Sequence, residues 1–425
     1  MAPIADHPQR FRMTSELHAR PFPVVCAPAM VAYLAVKSTS EPANREESLA
    51  QLAALLEHYG APGPEQGATH YAGPIGKYQL KWEQHTEFAT YTVFLSGLSD
   101  RPFDPATFEV FPTQWQDALP QERITSGLLR IMTRPKTDAE IQPSLKDWFV
   151  AESLAAASVL DDAAVIASDF RVDSAGHLRF AVFVSPGTGK RRVGRIVQRL
   201  CEIDTYKTMS MLGFVTVRNI ADELNALDTQ LRELTATMRG STSRVEETLH
   251  QLLDVSVSLE QLDAATSYRF AATAAYEALV NQRISVLREA RFLGRQGFGE
   301  FMMRRFEPAM RTVNASQTRL KAMSERSIRA SDLLRTRVDV ERSAQNQEIL
   351  ASMDRRSDLQ LRLQRTVEGL SVVAVSYYAV SLMAYLIAPA SVPLGMPKAV
   401  LTALITLPVV ALVWWFLRRL RRADD

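Results

Sequence analysis

The chain has 425 residues, 23% of them charged and 47% hydrophobic, with a formal net charge of +2 and 2 cysteines. These values describe a folded protein long enough for about two or three structural units, and they argue against a disordered chain or a general nucleic-acid binder. Cys26 and Cys201 make no disulfide framework, which fits a body in a reducing cytoplasm.

The apolar run Phe22 to Val36 is interrupted by Pro23 and Pro28 and preceded by Glu16 and other charges, so it does not read as a signal peptide. Val31 to Val36 reads as a short strand, and Glu46 to Tyr59 has a helical period that closes at Gly60. Gly60 to Gly76, rich in Gly and Pro, reads as a loop. Lys77 to Gly97, rich in Tyr, Thr, Val and Phe, reads as β. Ile124 to Thr133, Ala163 to Arg171 and His177 to Val184 are further strands, the last two flanking a hairpin turn at Asp173-Ser174-Ala175-Gly176. Helix takes over from Arg191. Between Arg218 and Arg365 the pattern is almost wholly helical, with breaks at Gly240-Ser241 and Gly294 to Gly299 and a proline at Pro308. Leu224, Leu227, Leu231 and Leu234, then Leu249, Leu252, Leu253 and Leu259, recur as in long helices packing on each other or on copies of themselves. The last of these helices, starting near Ala309, meets no breaker before Pro389.

Two charge-free apolar stretches follow, Leu370 to Ala388 and Ala399 to Leu417, each long enough as a helix to cross a hydrocarbon core of about 30 Å. Arg355, Arg356, Arg362 and Arg365 precede the first, and Arg418, Arg419, Arg421 and Arg422 follow the second. The loop between them, Pro389 to Lys398, carries Lys398 alone. Under the positive-inside rule both flanks are cytoplasmic and the loop faces outward. The predicted fold class is an α+β membrane protein, multi-pass, with both termini cytoplasmic. Residues 1–215 form a cytoplasmic α/β domain and 216–366 a long-helix stalk or coiled coil. Residues 367–425 form a transmembrane hairpin (367–388 and 399–417) with a basic tail.

In the first membrane helix Ser371, Tyr378 and Tyr385 fall seven apart with Ser381 on the adjoining position, giving a hydroxyl-lined face. Such a face points toward protein or a pore. Alternatively, the serines bond their own backbone and the tyrosines simply pack. The second helix is plain apolar sequence ending in Trp414 and Trp415, as expected of a lipid-facing helix with an interfacial belt.

The chemistry-bearing motifs are few. In Lys81-Trp82-Glu83-Gln84-His85-Thr86-Glu87-Phe88 a strand period of two places Glu83, His85 and Glu87 on one face, opposite Trp82 and Phe88. That row would hold a divalent cation or serve acid–base chemistry, or it is a solvated face over an aromatic core. Pro186-Gly187-Thr188-Gly189-Lys190 has the context of a phosphate loop, but Val184 stands where a glycine is needed and Arg191 where Ser or Thr would bind magnesium. The motif reads as a glycine turn into a basic helix, with an anion site near Lys190, Arg191 and Arg192. Cys201 reads as a core residue, and no nucleophile motif or spaced histidine pair is present. No catalytic residue is assigned and the chain is not read as an enzyme.

Several blocks read together resemble an uncharacterised bacterial family of membrane-anchored proteins with a domain of unknown function. They are Glu16-Leu17-His18-Ala19-Arg20-Pro21-Phe22, Trp82-Glu83-x-His85-Thr86-Glu87-Phe88, Gly194-Arg195-x-Val197-Gln198-Arg199-Leu200-x-Glu202-Ile203-x-Thr205-Tyr206, and Leu363-Gln364-x-Thr366-Val367-Glu368-Gly369-Leu370-Ser371. That resemblance implies a bacterial inner membrane. The plan also resembles CorA-type magnesium channels, whose outer loop carries Gly-Met-Asn. Here the loop reads Gly395-Met396-Pro397, and no acidic residue accompanies it. The expectation is a homo-oligomeric, membrane-anchored scaffold or sensor in contact with the lipid bilayer, binding no nucleic acid, its protein partners unassigned. The alternative is a CorA-like cation channel with the first membrane helix lining the pore. A divalent cation is the one cofactor raised.

Overall fold

The computed structural model describes residues 4–11, 13–14, 22–38, 44–238, 245–388 and 397–424. The block from Glu16 to Pro21, the Gly240-Ser241 break and the loop residues Gly395 and Met396 lie outside the described residues. The chain divides into two compact units, Met1–Gly240 with His250–Ala330, and Ser241–Leu249 with Ser331–Asp425.

The first unit is built on a nine-stranded sheet in the order β2-β3-β4-β1-β5-β8-β7-β6-β9. Its strands are β1 (Ala29–Lys37), β2 (His70–Ile75), β3 (Tyr78–Gln84), β4 (Phe88–Ser96), β5 (Glu122–Thr133), β6 (Ala155–Val159), β7 (Ala164–Ser168), β8 (Leu178–Val184) and β9 (Ala290–Arg291). Pairing is antiparallel except between β5 and β8, which run parallel. β1 is an inner strand between β4 and β5 and is apolar on both faces because both faces are covered. Val31, Tyr33 and Ala35 enter one core, and Ala32, Leu34 and Val36 the other.

Helix α1 (Arg45–His58) follows β1, its N-terminus capped by Asn44, whose side chain accepts from the backbone N–H of Glu46 and Glu47. Gly60, at φ +63°, supplies the left-handed residue that ends it. Leu52, Leu55 and Leu56 carry α1 onto the second core, which is joined by α3 (Ile141–Trp148) through Ile141 and Leu145, and by Trp115 of the short α2 (Thr113–Asp117). The hairpin expected around Asp173 is present: β7 and β8 pair, and the Asp173 carboxylate accepts from the N–H groups of Ala175 and His177 at 2.9 Å each.

The opposite face is covered by α4 (Lys190–Thr237) and α5 (Val245–Leu287), with α6 (Phe298–Arg305) and the start of α7 (Glu307–Ile387) beside them. Val193, Ile196, Val197, Leu200 and Ile203 form the inward stripe of α4 at spacings of three and four. α4 and α5 approach closely at Gly213, where a Cβ would stand 2.2 Å from Thr273 Oγ1. On α7, Met310, Val313, Leu320, Met323 and Ala330 are buried. There Asp228 of α4 receives Arg319 at 2.6 Å.

Two local expectations are corrected, at residues 70–75 and at His85, and one strand, β6, had no counterpart in the sequence reading. Residues 70–75, read as loop, form the edge strand β2, where Pro74 is tolerated because an edge strand has one unpaired side. β6, Ala-Ala-Ala-Ser-Val, has weak β-propensity yet is a wholly buried strand. The segment read as one strand through Phe88 turns at His85, so Trp82 and Phe88 lie in opposite cores.

In the second unit Leu334 and Val338 are buried, and Arg342 pairs with Glu246 at 2.7 Å. Farther along α7 the apolar side chains are exposed, from Ile349 and Leu350 through Leu370, Val373 and Leu386. α8 (Lys398–Asp424), with Pro408 in its interior, exposes Leu404, Leu407 and Leu412 in the same way.

Candidate functional site

The first unit holds a cleft of about 780 Å³ between the β2–β3–β4 end of its sheet and the first turns of α4. Its third wall is the segment that leads into β1. Val25 N–H donates to the Lys190 carbonyl at 3.2 Å, and a Cβ at Gly194 would stand 1.7 Å from the Pro23 carbonyl oxygen. Glycine at 194 is therefore what lets this wall lie against the helix. Phe22 and Phe94 give the cleft apolar surface, while Lys81, Arg191 and Arg195 give it positive charge.

Of the predicted anion-binding residues, Arg191 lines the cleft. Arg192 turns away and donates to the Leu160 carbonyl at 2.5 Å, with Asp161 3.5 Å distant. Lys190 is exposed, and no contact of its side chain with the cleft is seen among the described residues. Arg195, one turn on from Arg191, is the member the sequence reading missed, although the i, i+4 spacing was there to be read. The helix starts at Gly189 without a side-chain cap and without an acid in its first turn. Cations there oppose the macrodipole, which favours negative charge at that end.

Beneath the cleft lies a chamber of about 30 Å³ that shares Pro23, Lys81 and Phe94 with it. The volume suits about one or two waters. Lys81 is held at the junction by Gln198 Oε1 at 2.8 Å and Glu83 at 3.1 Å. Gln198 in turn donates to Glu202 at 2.7 Å, and Arg283 of α5 pairs with Glu202. Tyr33, 1% exposed, lines the chamber, and its hydroxyl has no hydrogen-bond partner among the described residues. Burial, then the neighbouring Asp204, hold its pKa well above the usual tyrosine value. Asp204 is fully buried and accepts Thr125 Oγ1 at 2.6 Å and Lys207 Nζ at 2.7 Å. Cys201 is a core residue, as expected, and burial pushes its thiol well above the ordinary value, so it stays protonated.

Glu83 and His85 both line this chamber, and Glu87 does not. β3 ends at Gln84, and His85 to Glu87 form the turn into β4, closed by His85 N–H donating to the Phe88 carbonyl at 2.8 Å. Glu83 pairs with Lys81. The His85 ring stacks on Phe88 at 4.4 Å and meets the edge of Tyr206 at 6.3 Å. Glu87, 5% exposed, receives the Arg269 guanidinium and the Tyr276 hydroxyl, the latter at 3.1 Å. Burial and then Glu87 raise the Tyr276 pKa, which keeps that hydroxyl a donor. The three residues thus do not share one strand face, and both carboxylates are paired with cations. Among the described residues no three His, Cys, Asp or Glu side chains gather as a metal-ligand set.

In the second unit, stretches of α7 and α8 are long and apolar enough to cross a membrane, with mean hydropathies of 1.9 and 2.2 and only 6% and 0% of those windows buried. Ser371 Oγ donates to the Val367 carbonyl at 2.9 Å and Ser381 Oγ to the Tyr377 carbonyl at 2.8 Å, each within its own helix. Tyr378 and Tyr385 are exposed. Ser381 and Tyr385 line a groove of about 480 Å³ between the two helices, together with Tyr377, which the sequence reading left out. Ser371 and Tyr378 are not part of it. Pro397 precedes α8, its carbonyl accepting from Val400 N–H at 3.0 Å. At the other end Arg418 lies over the Trp414 ring at 4.9 Å and Arg419 over Trp415 at 5.4 Å.

No curated protein and no solved structure matches the chain. A family model described as "Protein of unknown function (DUF3422)" matches residues 5–423, and the chain belongs to that family.

Proposed function

We propose that this DUF3422 chain is a membrane-anchored scaffold or sensor: α7 and α8 hold it in a bilayer, and its α+β unit takes a ligand in the cleft beside α4. The observation that carries the reading is the exposure of the two apolar helices. In water, a surface that presents Val373, Leu382, Leu386, Leu404, Leu407 and Leu412 together would be a large apolar patch, whereas in hydrocarbon it is the expected lining. The stacked Trp414–Arg418 and Trp415–Arg419 pairs fit an interfacial belt, with the ring at the headgroups and the cation reaching water. The arginines flanking both stretches favour a cytoplasmic position for both flanks in a bacterial inner membrane.

A CorA-like pore draws less support. The Ser371 and Ser381 hydroxyls are satisfied by their own helix, so neither needs water or an ion in a central path. Alkaline carbonate extraction of cells producing the full chain tests the anchor. The protein stays with the membrane pellet if the reading is right, and its release into the supernatant overturns it.

A further inference from the structure

The cleft offers positive charge that nothing nearby neutralises. Among the described residues neither Arg191 nor Arg195 has an acidic partner, whereas Arg283, Arg288 and Arg192 of the same surroundings do. Arg199, one turn beyond Arg195, has its pKa lowered by burial, then by Arg195, against the opposing effect of Glu202. Of these, Arg191 stands in the first turn of α4, where cations are already disfavoured. The arrangement becomes favourable when an anion sits among them. At its inner end the cleft meets the chamber lined by Tyr33, whose buried hydroxyl has no partner among the described residues.

Size and charge narrow the anion. A cleft of about 780 Å³ is far larger than an inorganic phosphate, and part of its wall is the apolar surface of Phe22 and Phe94. Two unneutralised guanidiniums match a dianion better than a monocarboxylate, which would leave one of them unmatched. From this we propose that the cleft binds a phosphate monoester on a compact apolar or aromatic body. Arg191 and Arg195 receive the phosphate, and Phe22 and Phe94 receive the body. Lys81 adds charge at the inner end but is already held by Glu83 and Gln198, so it is the lesser contributor. The proposal supplies the ligand class for the sensor reading and rests on it only for biological meaning, since the cleft lies wholly within the first unit.

The test uses the full chain in nanodiscs of neutral phosphatidylcholine, titrated with 1-naphthyl phosphate, inorganic phosphate and 1-naphthol. The naphthyl phosphate is expected to bind at least about tenfold more tightly than either fragment. Arg191→Gln and Arg195→Gln each weaken it by about tenfold and leave 1-naphthol unaffected. Both arginines are exposed, and unchanged circular dichroism confirms that the variants fold. Equal binding of the ester and of inorganic phosphate overturns the proposal, as does an Arg191→Glu/Arg195→Glu double variant that binds the ester like the parent. In discs containing phosphatidic acid, loss of naphthyl phosphate binding assigns the site to a lipid phosphate, and retained binding assigns it to a soluble ester. Either result supports the ligand class. Failure of the binding test leaves carbonate-resistant membrane association untouched, so the two readings fall separately.

Discussion

The two units treat apolar side chains in opposite ways, and α7 shows both treatments within one helix. Met310, Val313, Leu320 and Met323 are almost wholly buried, whereas Leu359, Leu363, Val367 and Leu370 on the same helix lie open. Propensity cannot explain the contrast, because both stretches are good helix sequence. The difference lies in what each stretch must satisfy. In the first unit, charges that leave water are paired: Glu87 with Arg269, Asp204 with Lys207, Asp228 with Arg319. From Leu370 to Leu386 charges are missing from the sequence altogether, as befits a segment whose surroundings are to be apolar.

Substitutions break or sharpen this comparison. The largest effect is expected at Gly194, where any Cβ meets the Pro23 carbonyl oxygen at 1.7 Å. Gly194→Val should cost on the order of 3–5 kcal/mol or prevent folding, as read by urea denaturation followed through tryptophan fluorescence. Glu87→Ala removes one partner of a buried pair and should cost about 3 kcal/mol, because Arg269 is left charged without its carboxylate. An equal stability would mean that Arg269 reaches water. In the second unit Leu407→Arg should raise the insertion free energy by about 3 kcal/mol and shift the chain toward the carbonate supernatant. On a water-facing surface the same change would be neutral, so this variant separates the two environments directly.

A smaller and pH-dependent effect is expected at Asp228. The hydrogen bond from Arg232, then Arg319, lower its pKa from 3.8 to about 2 against the opposing effect of burial. A depressed carboxylate contributes stability that is complete above the ordinary value and is lost as pH falls through the folded one. Asp228→Asn should therefore cost about 1–2 kcal/mol at neutral pH, with the difference from the parent closing as pH falls toward 2. The smallest change is Ser381→Ala. With its hydroxyl bonded inside its own helix, the melting midpoint should move by no more than about 0.5 kcal/mol equivalent. A larger loss would show that Ser381 reaches a partner outside the helix.

Much of the architecture was legible from local pattern. β1 announced itself by an unbroken apolar run, α1 by its period and Gly60, and the β7–β8 hairpin by its Asp-to-Gly turn. What escaped notice was decided by distant residues. β2 carries Gly73 and Pro74, which are loop signals anywhere except at a sheet edge, and only the tertiary fold makes it an edge. The turn at His85 contains no Gly, Pro, Asn or Asp, so periodicity ran straight through it and put Glu87 on the wrong face. Arg191 was legible as part of a basic helix start. Tyr33, Lys81 and Asp204 come together only because the sheet and α4 pack across long sequence separations, as in the Thr125–Asp204 hydrogen bond.

One further property follows from the way the sheet ends. At one border β2 has Pro74, which cannot donate to a neighbouring strand. At the other, β9 is only two residues long and is supplied from beyond α5. Both borders are thus blunted against strand addition, the route by which exposed sheets template aggregates or swap segments. Any joining of this unit to another chain is thereby left to side-chain surfaces rather than to strand pairing.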